Sequence, residues 1–227
     1  MRTFVFILLF LFSLVAKGQL ENPISVEVGA NGIYNYYIAN DDIQPGFNYG
    51  FTIAAFTTVS NWFEVGLGVG FNTNNYTEWN VNRTNSKGKV VKRFYSSNIQ
   101  EIQLRFNFLM HETQNWKYSL TGGLAYLGVT NVSADNYYEN GMLETDVKVG
   151  NKPFLTAIQP DFGIRVERVI HGNWVMVSWV KASMPLPAQI KPSNHFGIES
   201  IFMEQYFSSF NAFLGVRYQF SGNLRTH

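Results

Sequence analysis

Along most of the chain, large apolar residues occupy every second position while the alternate positions carry glycine, small or polar residues. The stretch Phe63-Glu64-Val65-Gly66-Leu67-Gly68-Val69-Gly70-Phe71 shows the pattern at its plainest. A period of two sends successive side chains to opposite faces, which defines a β-strand. Eight such segments are predicted: about Ile24 to Ile38, Phe47 to Val59, Trp62 to Tyr76, Ser97 to Met110, Trp116 to Val129, Phe154 to Ile170, Trp174 to Met184 and Glu204 to Phe220. The last alternates most cleanly, with Phe210, Ala212, Leu214, Val216, Tyr218 and Phe220 set against Ser209, Asn211, Gly215, Arg217 and Gln219. Two segments fit less well. Pro160 lacks the amide a ladder needs, which predicts a bulge or local break there. Between Trp174 and Met184, Val175, Val177 and Trp179 share a parity with Lys181, and a bulge is expected to restore the pattern.

The connections alternate in length. Ser60-Asn61, the HETQN run from His111 to Asn115 and His171-Gly172-Asn173 are tight turns. Thr77 to Ser96, Thr130 to Pro153 and Pro185 to about Met203 read as long polar loops, the first with a hairpin extension at Val90-Val91 as its alternative. An even number of antiparallel strands puts every tight turn on one rim and every long connection on the other. The expected fold is therefore all-β: an eight-stranded antiparallel transmembrane barrel of outer-membrane type, with short periplasmic turns and long outer loops. A soluble sandwich or lipocalin-like barrel also alternates. Glycines and alanines crowd the polar parity here, which suits a narrow lumen, while the continuous aromatic parity suits lipid. Trp62, Trp116 and Trp174 each follow a tight turn, which predicts a girdle at one membrane interface, where an indole is favoured.

Export is expected as well. Arg2 precedes an apolar run that ends at Ala16-Lys17-Gly18, so residues 1–18 read as a secretory signal and 19–227 as the barrel domain. Arg2 and Lys17 leave with the signal, so 15 Lys and Arg face 16 Asp and Glu, a net charge of −1. That balance offers no electrostatic footprint for nucleic acid. The chain has no cysteine, and closure of the sheet in lipid would hold it without disulfides.

On this register Glu27, Glu64, Glu101, Arg105, Lys117, Asp161, Arg165, Glu167 and Arg217 face the lumen. Mixed signs on neighbouring strands predict a buried charge network, because an unpaired ion there would be costly. An eight-stranded interior is barely wide enough for its own side chains, which argues against general diffusion. No catalytic, cofactor or metal site is expected. Ser193 and His195 share an outer loop, but nothing completes a triad with them. No metal-ligand spacing, phosphate loop or dinucleotide fingerprint occurs.

The signal, the opening VEVGANGIYN (Val26 to Asn35), the strand FEVGLGVGF (Phe63 to Phe71) and the ending FLGVRYQF (Phe213 to Phe220) together resemble the small outer-membrane β-barrel proteins of Bacteroidetes type, the PorT-like or porin-family group. The resemblance covers the chain after the signal, although its motifs are generic to the architecture. It implies residence in the outer membrane of a Gram-negative bacterium, among bilayer lipid and lipopolysaccharide, and insertion by the barrel assembly machinery. Ser221 to His227 follow the terminal aromatic Phe220, so assembly recognition would use an internal signal. The expected function is that of a non-enzymatic structural or interaction element, an accessory subunit of another outer-membrane complex. The alternative is a narrow conduit for a small or hydrophobic solute. The loops Thr77 to Ser96 and Thr130 to Pro153, or a lipid-side patch of small residues at Gly122 and Ala212, would meet a partner.

Overall fold

The computed structural model of the protein describes residues 23–37, 43–150, 155–184, 189–190 and 207–220. The expected signal, Ser193, His195 and the tail after Phe220 lie outside the described residues. Eight strands form the wall: β1 (Ile24–Tyr37), β2 (Phe47–Ser60), β3 (Phe63–Asn85), β4 (Gly88–Glu112), β5 (Trp116–Tyr138), β6 (Leu155–His171), β7 (Trp174–Ser183) and β8 (Phe207–Phe220). Each pairs antiparallel with the next, and β8 pairs with β1 from Ile24↔Phe220 to Tyr37↔Phe207, so the ring closes. In lipid an open sheet edge would leave amides unsatisfied, and closure removes it. The chain is an all-β transmembrane barrel with short turns on the periplasmic rim and longer connections outside.

Alternation decides the two faces. Val28, Phe51, Ile53, Val69, Phe71, Leu124, Tyr126, Phe162, Ile164, Val180 and Leu214 are exposed, while the alternate residues Glu27, Thr52, Asn72, Gln103, Arg105, Thr121, Arg165 and Arg217 are buried. An apolar outside around a polar inside is the reverse of a soluble fold and matches a wall facing hydrocarbon.

At the periplasmic rim Asn61 and Trp62 themselves make the first turn, so β3 begins at Phe63. Trp62 stacks near Phe63 and Phe108 at 5.7 and 6.1 Å. Trp174 meets Tyr218 edge-on at 4.9 Å, and the Arg168 guanidinium lies 5.1 Å from the Trp116 ring. All three indoles stand at the tight-turn end of the wall.

On the outer side two expectations change, and a short strand is added. The segment Thr77 to Ser96 is a hairpin rather than a loop: β3 and β4 stay paired to Asn85↔Gly88, closing on Ser86-Lys87. Similarly, Thr130 to Tyr138 continues β5, and Leu143–Gly150 folds back to pair with it. Ile43–Pro45 adds to β3 at Tyr76 to Glu78. A sheet therefore rises above the barrel as an outer blade. Register shifts occur where Asn80 and Asn131 adopt left-handed backbone (φ 54° and 53°), a conformation that asparagine tolerates better than most residues.

Pro160 breaks nothing. It pairs in register with Leu124, and its carbonyl accepts from the Met184 amide one residue beyond the last β6–β7 rung, Asp161↔Ser183. In an antiparallel strand a residue's amide and carbonyl face the same neighbour. The missing N–H therefore falls where the β7 ladder has ended. β7 needs no bulge against β8, with which it pairs without interruption from Tyr218↔Trp174 to Ser209↔Ser183.

Candidate functional site

The lumen carries the chemistry. Strand parity aims Glu27 (β1), Glu64 (β3), Arg105 (β4), Arg165 and Glu167 (β6) and Arg217 (β8) at the barrel axis, and their side chains meet in one chain of ion pairs. Glu27 sits between two guanidinium groups, with Arg105 Nη1 3.2 Å from Oε1 and Arg165 Nη2 2.5 Å from Oε2. Arg165 Nε donates to Glu167 Oε1 at 2.6 Å, and Arg217 Nη1 donates to the same oxygen at 2.9 Å. Arg217 then closes on Glu64, with Nη2 to Oε1 at 2.7 Å and Nη1 to Oε2 at 3.0 Å, and its Nε donates to Ser25 Oγ at 2.6 Å. Glu27 and Arg165 are inaccessible, at 0% and 1% exposure. Inside such a site a charge is tolerable only when paired and hydrogen-bonded.

Glu101 joins at one remove. Asn72 Nδ2 donates to its Oε1 at 2.7 Å, Gln103 Nε2 to its Oε2, and Gln103 Oε1 accepts from Arg105 Nε at 2.7 Å. Asp161 pairs with Lys181 at 3.1 Å. Lys117 occupies the periplasmic mouth, where its ion partner is Glu112 at 3.0 Å and both side chains are well exposed. Of the nine lumen charges expected from the sequence, the structure brings six into the central chain, links Glu101 to it through Gln103, and places Asp161 and Lys117 in separate pairs.

Lys181 was missing from that set. Taking Val175, Val177 and Trp179 as lipid-facing would have required a bulge, yet all three are buried inside the barrel with Lys181. The signal was Lys181 itself, since a lone charge in mid-strand belongs on the lumen side and fixes the parity of the whole segment.

These apolar lumen residues complete a plug. Trp179 and Phe213 stack at 5.0 Å with planes 3° apart. Arg105 and Lys181 approach the Trp179 ring at 5.0 and 4.7 Å, and Arg165 and Arg217 approach Phe56 at 5.1 and 5.3 Å. Aromatic faces stabilise desolvated cations in this arrangement. Lumen glycines make the room. A β-carbon at Gly66 would collide with the Phe56 ring, and one at Gly215 would lie 2.5 Å from the Phe213 ring.

The plug leaves separate cavities on its two sides. Toward the outer rim, Asn31, Gln103, Arg105, Trp179 and Lys181 are among the residues around about 20 Å³, enough for a water molecule. Toward the periplasm, Ser60, Glu64, Asn107, Lys117 and Glu167 border about 80 Å³. Among the described residues no group of three or more His, Cys, Asp or Glu could hold a metal ion. The arrangement ties strands on opposite sides of the barrel together through charged side chains.

Fold and lumen together define a transmembrane β-barrel of outer-membrane type. No protein-family model matches the sequence, and no curated protein matches it. Among solved structures the chain is similar to Neisserial surface protein A, at 13% identity over 87% of this chain and 97% of that one, with a TM-score of 0.51. It is also similar to a major outer membrane protein from Thermus thermophilus (13% identity, 87% and 99% covered, TM-score 0.49) and to the outer membrane protein OprG from Pseudomonas aeruginosa (8%, 88% and 96%, 0.46). At these identities the likeness speaks to the fold alone.

Proposed function

We propose that this protein is a sealed, non-enzymatic barrel of the Gram-negative outer membrane, a structural and interaction element whose working surface is the outer blade. It would reach the membrane through the export signal at residues 1–18 and insert through the barrel assembly machinery. It would lie among small barrels of PorT-like type, as an accessory to a larger outer-membrane complex. The observation that carries this reading is the plug: Glu27, Arg105 and Arg165, all buried, span the lumen from β1, β4 and β6 beside stacked Trp179 and Phe213. A conduit would have to break that layer at each passage and strand its ions. The lumen charges accordingly read as a cross-link rather than a path.

Planar-bilayer recording of the purified barrel tests this. Electrical silence is expected. Steady, reproducible conductance steps that disappear in Arg105→Gln would overturn the sealed reading in favour of transport.

A further inference from the structure

The outer blade carries, on the side continuous with the lipid-facing wall, a cation held between two aromatic rings. Trp79, Lys92 and Tyr137 are direct cross-strand partners on β3, β4 and β5, so they form one rung across three strands. Lys92 Nζ lies 4.4 Å from the Trp79 ring centre and 5.2 Å from that of Tyr137. Both rings are more than a third exposed, whereas Arg93 and Asn136, one position along their strands and turned the other way, are buried and bonded to each other. Two residues nearer the membrane, the next outward rung is Thr77, Phe94 and Asp135.

The height of this patch selects what stands beside it. On β3 the apolar belt ends at Phe71, followed outward by Thr73 and Asn75. Trp79 is eight residues further on, which at about 3.3 Å per residue and a strand tilt of about 40° raises it roughly 20 Å above the belt. That is beyond hydrocarbon and beyond the level of lipid phosphates. The neighbour there is the saccharide of the lipopolysaccharide in the same leaflet. Two flat rings suit the C–H faces of sugars, the Thr77 hydroxyl suits their hydroxyls, and Lys92 suits the phosphates of a charged core. A soluble protein partner would not require the patch to continue the lipid-facing surface.

We infer that the Trp79–Lys92–Tyr137 rung is a binding site for the phosphorylated core saccharide of lipopolysaccharide, which anchors the blade laterally in the sugar layer. The inference rests on the reading of the barrel as an outer-membrane interaction element, and it stands or falls separately from lumen sealing. The test uses the full barrel in detergent micelles, with the core oligosaccharide freed from its lipid as probe, in phosphorylated and dephosphorylated forms. Heat-dependent electrophoretic migration checks that each variant is folded.

The free phosphorylated oligosaccharide is expected to bind. Trp79→Ala and Tyr137→Ala each weaken binding roughly three- to tenfold while Trp79→Phe retains most of it, in line with aromatic contributions of about 1 kcal/mol. Lys92→Gln removes the preference for the phosphorylated form. Equal binding by all folded variants would overturn the site, as would binding of intact lipopolysaccharide without any binding of the free oligosaccharide, which would place recognition in the lipid portion. Conductance by a barrel that binds the saccharide would sink only the sealed-lumen reading.

Discussion

Two of the protein's polar networks, the ion chain in the lumen and the set on the inner face of the outer blade, are built on different principles. The lumen chain joins residues far apart in sequence, such as Glu27 with Arg165 and Arg217 with Glu64, across the barrel axis. The blade network joins strand neighbours. Arg93 donates to Asn136 at 2.6 Å and to the Tyr95 hydroxyl at 2.9 Å, Tyr138 donates to Glu144 at 2.7 Å, and Lys87 reaches Glu144 at 2.5 Å. In the central lumen chain nearly every partner is a full charge, most of them removed from water. In the blade, neutral amides and phenols carry much of the linkage, and the Lys87–Glu144 ion pair stands toward solvent. Buried ions are stabilising only as a complete set, whereas exposed or neutral links each contribute a little and fail one at a time. The lumen should thus behave as a single unit and the blade as a graded one.

The sharpest way to break this contrast is Glu27→Ala. It leaves Arg105 and Arg165 facing each other without their shared carboxylate, at a cost of about 3–5 kcal/mol for a broken buried pair. Urea titration in lipid vesicles, followed by gel mobility, should show one cooperative transition shifted to much lower urea. An unchanged midpoint would mean the lumen ions are not coupled as described.

A smaller and local effect is expected from Tyr138→Phe, which removes the hydroxyl that accepts from Asn85 at 2.9 Å and donates to Glu144. The loss is about 1 kcal/mol. Amide exchange should quicken between Asn85 and Gly88 and between Leu143 and Val147 while barrel amides hold their protection. Uniform acceleration along all strands would show that the blade is not independent.

The smallest effect is a pH dependence. Hydrogen bonds from Lys87 and then Tyr138 hold the Glu144 carboxylate well below its usual range, at about 2. A folded-state value below the unfolded one contributes stability that is present above the unfolded carboxylate pKa and lost as pH falls through the folded value. Protection of the amides from Leu143 to Val147, corrected for the intrinsic slowing of exchange in acid, should therefore fall as pH drops from about 5 to about 2, and Glu144→Gln should flatten that fall. A profile identical in the variant would exclude this carboxylate.

The parts legible in the sequence were those where lipid dictates the pattern. Phe63 to Phe71 and Phe210 to Phe220 alternate because one face meets hydrocarbon and the other does not. Above the membrane that asymmetry disappears. In Thr77-Glu78-Trp79-Asn80 both faces meet polar surroundings, so the strand extension lost its period and read as loop. β7 failed for the opposite reason, since its lumen face is as apolar as its lipid face around Val177 and Trp179. Parity alone pointed nine charges at the lumen and missed Lys181. Their pairing was not legible, because Glu27 contacts Arg105 and Arg165 only once the sheet has curled.

The lumen chain also bears on how the barrel is made. Its members come from β1, β3, β4, β6 and β8, and the junction between the first and last strands holds Ser25, Glu27 and Arg217. A sheet in which β8 has not yet met β1 leaves Arg217 without Ser25 and the Glu27 side short of its full environment. An incomplete cylinder therefore carries stranded ions in a medium that punishes them, and only the last pairing relieves it. The lumen ions are thus fully satisfied only in the closed cylinder: a sheet that slips its register by one residue turns Arg217 away from Ser25 and Glu64 and cannot neutralise its own interior.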